Sequence, residues 1–192
     1  MANKKPRTVQ YRRKREKRTN YAKRLKLLLS GEARVVVRLT NQKVIAQIVK
    51  FHPKGDLVLM GVESTQLRKF GWDYAGKSIP SAYLTGYLLA KKAIEKGGCG
   101  KAVIDTGFRT LARKGRVTAF VQGVVEGGLE ITVGDEDIFP SESRLKGEHI
   151  QKYASGLKKE AATGHQFTKY LKNKVAVEKL AETFEKVKAK IK

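Results

Sequence analysis

Apolar positions change their period along the chain, and the changes divide it. Between residues 34 and 62 three short runs are rich in β-branched and aliphatic residues: Arg34-Val35-Val36-Val37-Arg38-Leu39, Val44-Ile45-Ala46-Gln47-Ile48-Val49 and Leu57-Val58-Leu59-Met60-Gly61-Val62. Thr40-Asn41-Gln42 and His52-Pro53-Lys54-Gly55-Asp56 separate them with turn chemistry. Connections this short predict an antiparallel three-strand meander. The period then becomes helical. Ser64 is placed to cap a short helix reaching Phe70. Ser78, with Pro80 just inside, opens a longer helix over residues 79–96, stopped by Gly97-Gly98. Ala102-Val103-Ile104 reads as a brief buried strand. A loop over 107–115 leads to a helix with Val117, Phe120, Val121, Val124 and Val125 on one side. Leu129-Glu130-Ile131-Thr132-Val133 reads as a last strand. This order predicts an α/β fold with a mixed sheet and flanking helices.

The two ends follow other rules. Residues 1–12 lack periodicity and read as an extended arm. Residues 13–30 are good helix formers, with Tyr21, Leu25, Leu28 and Leu29 on one face and Gly31 suited to a left-handed stop. Tyr21 is expected to pack with Leu25. The first half of that helix has almost no apolar face, so something other than a core must hold it. Beyond Pro140 the chain reads as helical and basic, and Val177, Leu180, Phe184, Val187 and Ile191 recur at spacings of 3 and 4. That stripe predicts docking on protein, because such a helix is stabilised by packing more than by propensity. The expected organisation is a basic arm and helix (1–30), an α/β core (31–140) and a basic helical extension (141–192).

Charge sharpens this division. The chain carries 41 Lys+Arg against 18 Asp+Glu, a formal net charge of +23. Residues 1–26 hold twelve cations and one acid, Glu16; residues 27–140 hold sixteen against eleven, and residues 141–192 thirteen against six. The middle reads as an ordinary domain, and both ends read as surfaces made for phosphate. A cationic excess this large attracts a polyanion, and phosphate contacts by Lys and Arg supply most non-specific affinity for nucleic acid. No apolar run approaches the roughly 20 residues of a spanning helix, which argues against a membrane. The basic start has no apolar stretch behind it, so no signal peptide is expected. Cys99 is the one cysteine, so neither an internal disulfide nor a four-cysteine zinc site is possible. A cytoplasmic location fits.

The densest signal runs from Tyr11 to Tyr21. It contributes Arg12, Arg13, Lys14, Arg15, Lys17 and Arg18, with Arg7 before it and Arg24 after it. Arginine takes phosphate bidentately or stacks on an unpaired base, and Tyr11 can stack as well. A second cluster, Arg109, Arg113, Lys114 and Arg116, lies in the loop between strand and helix. A third is Arg144 and Lys146 with His149, read as a hydrogen-bonding or stacking group. Signs of catalysis are poor. Gly97-Gly98-Cys99-Gly100-Lys101 follows a helix and precedes a strand, the reverse of a phosphate loop. Asp135-Glu136-Asp137 does not converge on a metal site, and His52, His149 and His165 pair with no nucleophile at a supportive spacing. Asp105 ends a buried strand, where a nuclease would keep a carboxylate, but it lacks a partner acid at a matching strand end. No enzyme, cofactor, metal or small-molecule substrate is expected. The alternatives to an RNA-binding structural protein are a generic nucleic-acid-binding protein and a nuclease on a related fold.

The chain resembles large-subunit ribosomal protein family eighteen in its archaeal/eukaryotic form. The resemblance rests on Tyr11-Arg12-Arg13-Lys14-Arg15 with Asn20-Tyr21-Ala22-Lys23-Arg24-Leu25, and on Thr40-Asn41 leading to Ala46-Gln47-Ile48-Val49. It continues through Phe70-Gly71-Trp72, Ala82-Tyr83-Leu84-Thr85-Gly86, Asp105-Thr106-Gly107 and Gly127-Gly128-Leu129, then Phe139-Pro140 with Arg144, and Gly147-Glu148-His149-Ile150. It implies a protein that binds 5S rRNA and attaches it to the large rRNA in the central protuberance. Neighbouring ribosomal proteins, family five among them, are implied partners. It also implies a core of ribonuclease H-like layout without catalytic acids, and RNA contacts through the N-terminal basic segment and basic loops. Onto this sequence that carries Arg12, Arg13, Lys14, Arg15, Lys17 and Arg18, with Arg109, Arg113 and Arg116. The length suggests an archaeal source.

Overall fold

The computed structural model describes residues 9–97, 100–159, 167, 168, 170, 173 and 175–191. The expected meander is present: β1 (Ala33–Leu39), β2 (Val44–Lys50) and β3 (Leu57–Glu63) pair antiparallel in order. β4 (Ala102–Asp105) joins the other edge of β1 in parallel, giving a mixed sheet in the order β3-β2-β1-β4. Side chains alternate across a sheet, and here the alternation separates two chemistries. Val35, Val37, Val44, Ala46, Ile48, Met60 and Val62 are buried on one face. Arg34, Val36, Arg38, Gln47 and Val49 belong to the other, where they line a groove.

The helices lie against the apolar face. α3 (Ile79–Glu95) begins where expected: the Ser78 side chain accepts a hydrogen bond from the Ser81 amide (3.3 Å), and Pro80 sits in the first turn. α4 (Arg116–Glu126) packs along α3 with its Val117, Phe120, Val121 and Val124 in the core, while Val125 is turned out to solvent. The two helices approach so closely that only glycine fits where they cross. A β-carbon on Gly86 would lie 2.2 Å from the Phe120 carbonyl oxygen, and one on Gly123 would lie 2.1 Å from the Tyr83 carbonyl oxygen.

The C-terminal region continues the same core. α5 (Glu142–Lys146) and α6 (Glu148–Lys159) are followed, after residues outside the description, by α7 (Leu180–Lys190). Leu180, Phe184, Val187 and Ile191 are all buried in one cluster with α3, α4 and the sheet. The apolar stripe therefore docks on this chain's own core, at roughly 1.5–3 kcal/mol per buried side chain. Of the lysines on α7, Lys188 is not turned away: it lies over the Tyr83 ring (5.0 Å) and pairs with Glu126 (3.1 Å).

Four local expectations are corrected. The helix expected over 13–30 is two pieces, α1 (Arg12–Arg15) and α2 (Tyr21–Leu28), broken where Lys17 takes a left-handed φ of 51°. Like charges at i,i+4 oppose a continuous helix there, and Asn20 restarts it by accepting from the Lys23 amide (3.0 Å). Tyr21 meets Tyr11, with ring centroids 5.4 Å apart, and Leu25 is exposed. Ser64 starts a 3-10 turn (Ser64–Phe70) without capping it, because its hydroxyl accepts from the Val44 amide across the sheet. The run 129–133 makes only one parallel bridge, Glu130 to Lys101 beside β4. Its Leu129 is buried, and Ile131 and Val133 pack on the core, so that apolar pattern serves packing without a ladder.

Candidate nucleic-acid interface

The second face of the sheet carries no helix layer. α2 crosses it and buries none of its own residues. Polar contacts hold it. The Lys23 ammonium donates to Thr106 Oγ1 (2.7 Å) and to the Gly107 carbonyl (3.1 Å), and Arg24 pairs with Asp56 (2.8 Å). Beneath them Arg34, 3% exposed, bridges Asp56 (2.6 Å) and Asp105 (3.0 Å), and Arg38 reaches Asp105 at 3.4 Å. A buried guanidinium needs such partners, since an unpaired buried charge is strongly destabilising. Asp105 is thus committed to holding arginines. The groove between α2 and the sheet has a volume of about 260 Å³, and six cations face it (Arg13, Arg18, Lys23, Arg24, Arg34 and Arg38) against two carboxylates, Asp56 and Asp105.

The basic segment ahead of α2 stands at the mouth of this groove. Arg13 Nε donates to Thr19 Oγ1 (2.8 Å), closing the break between α1 and α2. Arg12 and Arg18 flank Glu16 at 3.8 and 3.2 Å in exposed pairs that contribute little to stability. Lys14, Arg15 and Lys17 are exposed, and no ion pair or hydrogen bond ties their side chains to another described residue. Tyr11 is 73% exposed against Tyr21. Arg7 lies outside the described residues.

The second cluster is more committed than its sequence suggests. Arg113 pairs with Asp135 (3.3 Å) and Asp137 (3.5 Å), and Lys114 pairs with Asp137 at 3.1 Å. The Lys114 ammonium in turn holds the Asp137 carboxyl below the usual range. Arg109 donates to the Leu39 carbonyl (3.0 Å) and Arg116 to the Lys77 carbonyl (3.4 Å). The acidic triplet 135–137 thus answers this loop through Asp135 and Asp137; among the described residues no group of His, Cys, Asp and Glu could hold a metal ion. In the third cluster Lys146 pairs with Glu142 (2.7 Å) and Glu185 (3.3 Å), while Arg144 and His149 are exposed. Partial burial, and secondarily the Arg144 guanidinium, lower the pKa of His149. Cys99 and His165 lie outside the described residues.

The groove floor is what the sequence reading missed. Arg34 and Arg38 alternate with Val35 and Val37, a period-two signal that puts both cations on one face. Lys23 and Asp56 carried no readable sign of their roles, because their partners are far along the chain.

Comparison with known proteins decides the family. A family model described as "Ribosomal large subunit proteins 60S L5, and 50S L18" matches residues 5–102. A large ribosomal subunit protein uL18 from Korarchaeum cryptofilum is 41% identical over 95% of this chain and 93% of its own length. The chain belongs to the uL18 family. Two further uL18 proteins, from Thermofilum pendens and Sulfurisphaera tokodaii, are each 42% identical over 95% and 96% of this chain, covering 93% and 94% of their own lengths. Membership makes the chain a structural component of the cytoplasmic large ribosomal subunit and not an enzyme, with rRNA and ribosomal proteins as its partners. No helix among the described residues is long and apolar enough to cross a membrane.

Proposed function

We propose that this uL18-family chain binds 5S rRNA and helps attach it to the large rRNA in the central protuberance, beside ribosomal proteins that include family five. The observation that carries this reading is the basic segment 11–24, set over the sheet face that the α3–α4 layer leaves open and tied to it by Lys23 and Arg24. Arg12, Arg13, Lys14, Arg15, Lys17 and Arg18 take phosphates, Tyr11 offers a ring, and Arg7 precedes them. Arg109, Arg113, Lys114, Arg116, Arg144 and His149 are secondary contacts, the first four after giving up some of their present partners. Arg24 contributes by placing α2, since its guanidinium is engaged by Asp56.

The test is a titration of the full chain with 5S rRNA at four salt concentrations, beside a DNA duplex as competitor. With roughly 6–10 phosphates neutralised, log K falls against log salt with a slope of several units. The combined substitution Arg13→Gln, Lys14→Gln and Arg15→Gln makes that slope shallower by about 2–3, at nearly 0.9 per lost phosphate contact. A slope shallower than about −2 for the unmodified chain, or equal retention of DNA duplex and 5S rRNA, refutes the reading.

A further inference from the structure

The loop after β4 is rigid, basic in sequence and yet poor in available cations. Its first turn is fixed from several sides. The Gly107 amide donates to Asp105 Oδ1 (2.8 Å), and the Thr106 hydroxyl donates to the Arg109 carbonyl (2.9 Å). Gly107 has a left-handed φ of 63°, and a β-carbon there would meet the Arg38 guanidinium carbon at 3.1 Å. Arg109 is anchored to the carbonyl of Leu39, so the turn is pinned to the end of β1 as well. At its apex stands Phe108, 57% exposed.

Single exposed apolar residues are common and usually mean nothing. Three features set this one apart. The ring is large, it is carried by a backbone with little freedom left, and the turn is bonded through Lys23 to the basic segment. Gly107, its neighbour, lines the cationic groove itself. A polyanion bound along Arg13, Arg18 and Lys23 therefore passes beside Phe108. The loop's own cations do not explain the exposure, because each of Arg109, Arg113, Lys114 and Arg116 already has a protein partner. An aromatic ring held outward beside a phosphate-binding surface is a stacking platform, and bases that are splayed from a folded RNA stack on such rings. A platform ordered before binding loses little entropy when it is used.

We propose that Phe108 stacks on an unpaired base of the RNA whose phosphates lie along the N-terminal segment. This rests on the RNA-binding reading above and adds a contact that reads a base where the cations read only charge. Substituting an exposed ring leaves the fold intact, so RNA binding can be read directly. With 5S rRNA as the probe, Phe108→Ala in the full chain weakens binding roughly 5- to 150-fold, with the salt slope unchanged, since stacking releases no counterions. Phe108→Leu restores apolar area without a π-face and stays weak, whereas Phe108→Trp keeps affinity. The Phe108→Trp emission is also quenched by 5S rRNA and, at low salt, by a mixed-sequence single-stranded RNA; Trp72, 1% exposed, contributes a constant background.

The outcomes separate the two claims. If 5S rRNA binds with its full salt slope, while Phe108→Ala stays within twofold of the unmodified chain and Phe108→Trp is not quenched, this inference falls and the functional reading stands. Full affinity in Phe108→Leu also overturns it, because apolar area then suffices without a π-face, as does a Phe108→Ala chain that keeps RNA but loses a ribosomal protein, which marks an apolar protein contact. If 5S rRNA is not held but the single strand quenches Phe108→Trp, the functional reading falls and stacking stands. No quenching by either RNA, with no 5S binding, removes both.

Discussion

Replacing Gly86 with alanine puts a methyl carbon 2.2 Å from the Phe120 carbonyl oxygen, at the point where α3 and α4 cross. An ordinary carbon–oxygen contact is about 3.3 Å, so the helices must separate by about 1 Å or bend. The obstacle is backbone, which cannot rotate aside as a side chain would. A gap of that size forfeits a quarter to a half of the dispersion attraction between the surfaces on either side, and these include Leu84, Leu88, Phe120 and Val124, all buried. Overpacking of this kind costs typically 1–3 kcal/mol, and a backbone clash sits at the upper end. Against it stands the helix-propensity gain of alanine over glycine, about 1 kcal/mol. The expected net effect is destabilisation by about 2 kcal/mol. Urea unfolding measures it: with a slope of about 2 kcal/mol/M, the midpoint falls by about 1 M. Gly123 faces the reciprocal contact, with the Tyr83 carbonyl 2.1 Å from its missing β-carbon. Once the first alanine has parted the helices the second costs less, so the double variant falls short of additivity by at least about 0.5 kcal/mol. Gly156→Ala on α6 meets nothing within 4 Å and is the control, stabilising by up to about 1 kcal/mol. A Gly86→Ala chain as stable as the original, or a strictly additive double variant, refutes the account of this crossing.

Phe184→Ala empties a site that is 3% exposed and packed on the Tyr83 ring at 5.4 Å, and the loss is about 3 kcal/mol in the same urea assay; Lys186→Ala, at an exposed position, leaves the midpoint within about 0.5 kcal/mol, and an unmoved Phe184→Ala midpoint shows that α7 does not dock. His149 titrates below an ordinary histidine, which an NMR titration of its ring protons reads directly. A base whose folded pKa is depressed binds protons more readily when unfolded, so its contribution to stability is full above the unfolded value of about 6.5 and is lost as pH falls below it. Arg144→Gln moves the His149 pKa back only partly, because burial is the larger cause; a complete return to the ordinary value contradicts that ordering.

The core was legible because its signals are local. The meander follows from β-branched runs and turn residues, and α3 from Ser78, Pro80 and Gly97. The Val177–Ile191 stripe shows that α7 packs, though not on what. What failed to show depends on competition between distant groups. Propensity rates lysine and arginine as helix formers, yet Arg12 to Arg18 has a single acid to relieve its repulsion, and the chain breaks at Lys17. Leu129 to Val133 has the composition of a strand, but past the Glu130 bridge the chain turns toward Asp135 and Asp137, which answer Arg113 and Lys114. Asp105 illustrates the limit best. In sequence it is an acid ending a buried strand, open to a catalytic reading. In space Arg34 and Arg38 claim it, and Arg34 is 71 positions away along the chain.

The two faces of the sheet answer two different demands. One is closed by α3, α4 and α7 through a continuous apolar cluster in which even one added methyl at Gly86 forces the helices apart. The other is crossed by α2, which has no fully buried residue and rests on Lys23, Arg24 and their acceptors. Contacts of that kind between partly exposed groups are worth about 0–1 kcal/mol each, far less than the apolar burial opposite. On the proposed RNA-binding reading, phosphates compete for the same cations, and the salt slope measures how much counterion release contributes. On that reading the energetic order follows: the core sets where the groove and the turn at Phe108 lie, and bound RNA sets the final path of the basic segment over them. Sequence read the second demand as charge and the first as pattern; the Arg34–Asp56–Asp105 network, buried at their boundary, is where each constrains the other.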